Sequence, residues 1–339
     1  MAQDTKEAFL KQLEEVSPRL REAFEAVLMD IKGEVRFSEL LQAIEEGNVE
    51  AAIAAVQIKE EFYDPFKRAI EQSFYQGGVY QLGTFNQRRL GVTVRMQGDL
   101  PEARAWVATR SSSLITEVVA EQKQAVREVV LEGITTGRNP RKVAYDIVGR
   151  TEGNERKGGI LGLTSQQARF VFNMREELKD PSRMSNYFTR VRRDKRFDAT
   201  VTKAMKEGKA LPDSIIERIS GRYADRLLQL RGETIGRTEA LESLNAGRHE
   251  GVRQLLAKGE VPPEAIELIW DATPSDRTRD SHRSLNGQIV HYNEPFISPL
   301  TGAQFYFPGD RSLGAPASEI INCRCSFRIR IDYTKLVRK

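Results

Sequence analysis

Two cysteines and a histidine near the carboxyl end are the residues whose types could do chemistry. Cys323 and Cys325 are the only cysteines of the chain, with one residue between them, and His282 lies upstream. Two thiolates and an imidazole are a common donor set for zinc, although structural sites usually space paired ligands by two to four residues. Free cysteines also serve as small buried apolar side chains. The sequence therefore leaves open a zinc site at Cys323, Cys325 and His282 or an apolar packing site.

A phosphate-handling group is the second chemistry that the same region could support. The stretch TPSDRTRDSHRSLNG (273–287) predicts a short helix capped by Ser275, on which Arg279, His282 and Arg283 would share a face. Such residues could hold a scissile phosphate while the histidine moves a proton, or could simply form surface ion pairs. No companion motif supplies a nucleophile, and no Walker A, G-x-S-x-G or H-E-x-x-H sequence occurs. We therefore expect no catalytic residues, no enzyme activity and no small-molecule substrate.

The segment INCRCSFRIRIDY (321–333) must position the two cysteines, and its alternation predicts a β-strand. The apolar face would carry Ile321, Cys323, Cys325, Phe327, Ile329 and Ile331. The polar face would carry Asn322, Arg324, Ser326, Arg328 and Arg330. This strand would bury both thiols and turn Arg324, Arg328 and Arg330 toward an acidic partner, DNA or solvent.

The remaining elements predict an α+β fold with a mainly helical N-terminal body and a small C-terminal antiparallel sheet module. Residues 1–150 form a predicted helical domain, 151–260 a helical middle region with a basic run and a long helix, and 261–339 the α+β module. Ser17 with Pro18 predicts one helix start, and Thr164 with Gln167 predicts a capping box at another. After residue 261, glycines, prolines and short apolar runs favour strands.

Charge and composition indicate a folded protein with local basic patches. The chain of 339 residues is 40% hydrophobic and 29% charged, with a formal net charge of +4. Nucleic-acid backbone contact and a solvated helix face both remain open for its basic run. That run consists of Arg190, Arg192, Arg193, Lys195 and Arg196.

Compartment signals are few. Two cysteines suit a reducing compartment, and the N-terminus lacks a basic region followed by an apolar block. No run of about 18 apolar residues is present, so no membrane partner is expected.

Four motifs in order resemble the phage Mu F-like minor head proteins, also called the phage head morphogenesis family. The resemblance covers about residues 230 to 332. The matching motifs are R-T-E at Arg237, Thr238 and Glu239; D-x-x-R-x-x-H at Asp276, Arg279 and His282; P-G-D at Pro308, Gly309 and Asp310; and N-C-R-C at Asn322, Cys323, Arg324 and Cys325. Four motifs in sequence are more specific than any one of them.

This resemblance implies a virion component, present in few copies and made in the host cytoplasm during assembly. It implies association with the portal protein and capsid proteins, and action in head assembly, DNA packaging or ejection, with the DNA backbone as a further partner. In such a protein the motif residues would hold the module together. The competing interpretation is a nuclease or related transferase centred on His282 and Arg279.

Overall fold

The computed structural model describes residues 5–153 and 155–336 and confirms the α+β class. Its α-helices are α1 (Lys6–Glu34), α2 (Phe37–Glu45), α3 (Val49–Ala55), α4 (Asp64–Thr84), α5 (Pro101–Thr135), α6 (Pro140–Val148), α7 (Ser165–Lys179), α8 (Ser185–Thr189), α9 (Asp198–Glu207), α10 (Asp213–Leu256), α11 (Asp280–Arg283) and α12 (Ala317–Ile320). Its strands are β1 (Arg150–Glu152), β2 (Glu155–Lys157), β3 (Ile266–Asp271), β4 (Ile289–His291), β5 (Phe296–Ile297), β6 (Gln304–Phe305) and β7 (Ser326–Ile331). None of the described helices combines the length and apolarity needed to span a bilayer.

The chain divides into two compact units, each built from separated segments. Unit 1 comprises Met1–Phe24, Pro65–Ser112 and Glu233–Lys339, and unit 2 comprises Glu25–Asp64 and Ser113–Gly232. The division at residues 150 and 260 that the sequence suggests stays a prediction.

Unit 1 contains a close contact between α4 and α10. A Cβ atom on Gly247 would lie 1.8 Å from the carbonyl oxygen of Phe74, and one on Gly77 would lie 2.1 Å from that of Leu244. Both separations are far below van der Waals contact, so only glycine permits this approach of the two backbones. Gly77 and Gly247 are therefore packing positions at the contact of these two helices.

The sheet of unit 1 has three antiparallel strands in the order β4-β3-β7. In its register, Trp270 of β3 lies opposite Phe327 of β7, and both side chains are fully buried. Strand β3 alternates buried and half-buried residues, as a strand with one face on a core does. The pair β5-β6 forms a second small antiparallel ladder. The predicted C-terminal antiparallel sheet is thus present.

Unit 2 is almost entirely helical. Thr164 and Gln167 form the predicted capping box at the start of α7, and Asn139 caps α6 by accepting from the amides of Arg141 and Lys142. A short hairpin joins β1 and β2. Local capping chemistry accounts for the beginnings of these two helices.

The predicted strand over 321–333 is wrong in its first half. Strand β7 begins only at Ser326, because α12 ends at Ile320 and the backbone of Asn322 has a positive φ of 57°. The Cys323 amide donates to the Ile320 carbonyl, which makes this stretch a turn. Both thiols are buried as expected, but Ile321 is exposed and Ser326 is buried, opposite to the alternation.

Two other local predictions are corrected. Helix α1 runs through Ser17 and Pro18 instead of starting there, and the Ser17 hydroxyl donates to the Leu13 carbonyl. The helix carrying His282 spans only Asp280–Arg283, while Ser275 accepts from the Arg277 amide in a preceding turn. The expected shared face of Arg279, His282 and Arg283 therefore does not form.

Candidate functional site

His282, Cys323 and Cys325 converge in the interior of unit 1. The Nδ1 atom of His282 lies 3.4 Å from the Sγ atom of Cys323 and 3.4 Å from that of Cys325. All three donor atoms lie within 4.8 Å of one another. Each of the three residues is only 2% exposed. The turn before β7 supplies both sulfurs, and α11 supplies the imidazole.

Backbone amides face the sulfurs. The Cys325 amide donates to Cys323 Sγ at 3.4 Å, and a backbone hydrogen bond at Thr273 stabilises the Cys325 thiolate. The hydrogen bond from Cys323, with His282 adding to it, lowers the pKa of Cys325 to about 5. The same hydrogen bond and burial raise the pKa of Cys323. The pair thus favours one thiolate and one thiol.

A buried carboxylate lies on the other side of the imidazole. His282 Nε2 is 3.0 Å from Oε2 of Glu319, off the ideal hydrogen-bond angle. Glu319 is itself held by the Ser281 hydroxyl, which donates to Oε2 at 2.8 Å. The Trp270 ring packs edge-on against the imidazole, with 5.6 Å between ring centroids. The orientation of the His282 ring is therefore fixed on both sides.

The D-x-x-R-x-x-H residues have different surroundings. Arg279 donates to the backbone carbonyl of Ile321, which ties α11 to the turn that holds the cysteines. Asp276 is exposed, and His282 is buried against sulfur and carboxylate. The arrangement gives His282 no open path to a substrate phosphate.

The other motifs meet along α10. Thr238 accepts a hydrogen bond from the Asn322 amide at 3.1 Å, joining the R-T-E and N-C-R-C motifs. The side-chain amide of Asn245 donates to the Pro308 carbonyl at 2.9 Å. Gly309 has a φ of 94°, and a Cβ atom there would lie 3.2 Å from Leu241, so the turn requires glycine.

Asp310 closes the P-G-D turn. Its buried carboxylate accepts from the amides of Tyr306 and Ser312, each at 2.8 Å. A carboxylate that satisfies two backbone amides stabilises the turn in which it lies. Asp310 therefore acts within the framework of the module.

A buried ionic network lies beside this turn. Arg110 reaches Glu239 at 2.5 Å and Glu242 at 2.9 Å, and Arg311 reaches Glu242 at 3.0 Å and Glu239 at 3.3 Å. These four residues, here called the buried network, pair two acids with two arginines. Burial raises the pKa of Glu242 to about 7, against the lowering effect of Arg110.

Arg248 joins α10 to the sheet. Its fully buried guanidinium donates to Gln81 Oε1 at 2.9 Å, to Ser326 Oγ at 3.1 Å and to the Phe327 carbonyl at 2.7 Å. It also lies over the Phe327 ring, 4.3 Å from the centroid. A guanidinium with these partners holds β7 in place.

The basic run of unit 2 is largely neutralised by its own surroundings. Arg190 pairs with Glu177 at 2.7 Å, Arg193 with Asp198 at 3.0 Å, and Arg196 with Asp194 at 2.6 Å. Arg192 and Lys195 form no ion pair within the part of the chain that the structure describes. The run therefore offers less free positive charge than its sequence suggests.

The C-terminal basic strip separates into paired and unpaired arginines. Arg328 pairs with Asp271 at 3.3 Å and Arg330 with Glu267 at 2.5 Å. Arg324 has no acidic partner among residues 5–153 and 155–336, and burial and the nearby charges of Arg237 and Arg277 lower its pKa.

Arg237, Arg277 and Arg324 are here called the arginine cluster. Arg237 and Arg324 line a cavity of about 350 Å³ in unit 1, together with Arg21 and the two acids Glu14 and Glu233. Arg277 and Arg324 are exposed, and Arg237 is half-buried. Guanidinium groups that repel one another can bind an anionic ligand, and here Arg237 and Arg324 share the cavity with two carboxylates.

Several residues of these sites were not anticipated from sequence. The quoted motifs do not include Arg110, Arg311, Glu242, Arg248 or Glu319. These residues nevertheless form many of the ion pairs and hydrogen bonds of the sites described above. One signal was available: Glu239 and Glu242 are three residues apart on one helix face, so both must be paired if that face is buried. Nothing in the sequence indicates that Arg110 is the partner.

Comparisons with known proteins agree with the motif reading. Residues 195–328 match the family model described as phage Mu protein F like protein. Searches of curated proteins and of solved structures give no significant match. Over residues 195–328 the chain is therefore similar to phage Mu F-like proteins, which confirms the resemblance that its four motifs indicate.

Proposed function

We propose that the chain is a minor head protein of a phage virion, bound near the portal, which assists DNA packaging or ejection. The family match over residues 195–328 carries this proposal, because it indicates a head morphogenesis protein associated with the virion. Portal and capsid proteins are its proposed partners, and assembly takes place in the host cytoplasm.

The internal contacts of unit 1 support a structural role for the C-terminal module. The matched motif residues are used in holding its parts together, as the Thr238–Asn322 and Asn245–Pro308 hydrogen bonds illustrate. Such a module can present a fixed surface to a partner. We propose that it acts as a rigid, non-enzymatic interaction head.

The arginine cluster is the proposed contact for DNA phosphates. Its guanidinium groups form no ion pair among the described residues, in contrast to Arg328 and Arg330, although Glu14 and Glu233 line the same cavity. Arginines bind phosphate bidentately and without sequence preference when they contact only the backbone. The charges of the basic run are mostly paired, so we assign it a smaller part.

The enzyme alternative has less support. His282 is buried, and Arg279 is engaged with a backbone carbonyl, so neither meets the geometric requirement for acting on a phosphate. A nuclease assay on DNA and RNA, with and without chelator, tests this directly. Cleavage that is lost in a folded His282→Ala variant would replace our proposal.

Co-purification with the portal ring of the same phage tests the main proposal. We expect the chain to co-elute with the ring in a fixed, small number of copies, measured by native mass spectrometry. Arg324→Glu should weaken the complex if the arginine cluster faces the ring, and Arg193→Glu, whose native guanidinium is already paired, serves as the matched control. Absence of any complex with either the ring or assembled heads would contradict portal association.

A further inference from the structure

We propose that His282, Cys323 and Cys325 bind a zinc ion that holds the turn before β7 against α11. The ligands would be Nδ1 of the imidazole and the two Sγ atoms. The site extends the proposed structural role but does not depend on a phage partner, since it rests on contacts within unit 1.

The donor separations fit tetrahedral zinc. With bonds of about 2.3 Å to sulfur and about 2.1 Å to nitrogen, a tetrahedral angle puts the nitrogen and a sulfur about 3.6 Å apart. The observed separations of Nδ1 from the two sulfurs are 3.4 Å and 3.4 Å. All three atoms therefore lie where a single ion could touch each of them.

The surroundings of the donors match those of a metal site. Ligating histidines usually present their second ring nitrogen to a carboxylate, and here Nε2 lies 3.0 Å from Glu319. Zinc-bound sulfur is a thiolate, which favours nearby amide donors, and the Cys325 amide points at Cys323 Sγ. Glu319 and Ser281 have no comparable reason to be buried beside an apolar cysteine pair.

The apolar alternative explains less. Cysteines used only as small hydrophobes need neither an imidazole between them nor a buried carboxylate behind that imidazole. A polar group that is buried without complete partners costs stability, whereas an ion would satisfy both sulfurs and Nδ1 together. The spacing with one intervening residue is accommodated because Cys323 and Cys325 lie in a turn instead of on a strand.

The described residues supply three of four tetrahedral ligands. No further histidine, cysteine or acid joins the group in the described part of the chain. We assign the fourth position to a water molecule. The ion would hold the carboxyl-terminal turn against α11. Each segment has only four or five residues, which is too short to be stabilised by its own secondary structure.

Metal content of the full chain tests the proposal. Protein purified under reducing conditions without chelator should contain about one zinc per chain by elemental analysis. Replacement by Co²⁺ should give a sulfur-to-metal charge-transfer band and the visible bands of tetrahedral cobalt. Cys325→Ser and His282→Ala should abolish these signals, while His291→Gln, a histidine outside the group, should retain them.

A milder variant keeps the test independent of folding. Glu319→Gln leaves all three ligands in place and should weaken zinc binding about 10- to 100-fold in a competition with a chromophoric chelator. Folded, fully reduced protein that retains less than about a tenth of an equivalent of zinc after equilibration with Zn²⁺, and shows no cobalt–thiolate band, would overturn the proposal. Unchanged zinc affinity in the Cys325→Ser variant would overturn it equally.

Discussion

Arg237 and Glu239, two residues apart on α10, belong to regions of opposite character. Glu239 enters the buried network, where two buried acids pair with the buried Arg110 and the half-buried Arg311. Arg237 enters the arginine cluster, where Arg277 and Arg324 add positive charge and none of the three forms an ion pair with a described acid, although Glu14 and Glu233 line the same cavity. Whether a charged side chain stabilises the fold or stays available to a ligand depends on the residues that it contacts, more than on its own type.

The basic run in unit 2 supports the same distinction. Its arginines are as dense in sequence as any in the chain, yet Glu177, Asp194 and Asp198 neutralise three of them. The arginine cluster is assembled from three distant segments and would not be found by counting charges in a window. Four predictions test this contrast.

Breaking the buried network should have the largest effect. Arg110→Ala leaves two carboxylates with Arg311 alone, and we expect a loss of about 3–5 kcal/mol in the free energy of unfolding at pH 8, measured in urea. Arg237→Ala, the control from the arginine cluster, should change stability by less than about 0.5 kcal/mol. Similar losses in both variants would erase the distinction between the two regions.

The pH dependence of stability should come from the network and not from the cluster. Burial raises the pKa of Glu242 to about 7 from 4.5, so its folded form binds a proton that the unfolded form has released. This contribution is complete below about pH 4.5 and is lost as pH rises through about 7, with a size of up to about 3 kcal/mol. Glu242→Gln should flatten the stability profile between those values, and an unaltered slope would contradict the assignment.

Thr238, between the two regions, should have an intermediate effect. Thr238→Val removes the acceptor of the Asn322 amide, and we expect a loss of about 1–2 kcal/mol by thermal denaturation. Thr238→Ser keeps the hydroxyl and should recover most of that loss. If Thr238→Ser destabilises as much as Thr238→Val, the methyl group contributes as much as the hydroxyl, and an unaltered stability of Thr238→Val would contradict the role of the hydrogen bond.

DNA affinity should respond only to the arginine cluster, with the smallest free-energy change. Arg324→Ala should reduce the slope of log affinity against log salt by about 1, as expected for the loss of one phosphate contact. Arg193→Ala, which removes a guanidinium already paired with Asp198, should leave the slope unchanged. Absence of wild-type binding at low salt would remove DNA from the proposed partners.

Local interactions were the most predictable part of the fold. The Thr164–Gln167 capping box lies within four residues and forms as expected, with both hydrogen bonds at 3.2 Å. The start predicted at Ser17 failed because α1 continues across Pro18, with Val16 and Leu20 buried on either side of it. Burial of a continuous apolar stripe outweighs a local stop signal.

The candidate site was predictable in composition but not in geometry. The sequence identifies His282, Cys323 and Cys325 as candidate ligands, but its alternation over 321–333 predicts a strand at the cysteines instead of a turn. Asn322 has a positive φ in this turn, and its backbone amide donates a hydrogen bond to the hydroxyl of Thr238, a residue far away in sequence. Glu319 and Arg110 were missed for the same reason, because their partners are brought together only by the tertiary fold.

The segmented make-up of unit 1 has a consequence for synthesis on the ribosome. Every segment of unit 2 has been translated once residue 232 is reached, whereas unit 1 still lacks Glu233–Lys339, including strands β3 and β7. Lys6, which is translated well before residue 233, has its ion-pair partner in Asp271. The apolar faces of the amino-terminal segments of unit 1 must therefore wait for the synthesis of Glu233–Lys339, and this interval is where chaperone binding would matter most.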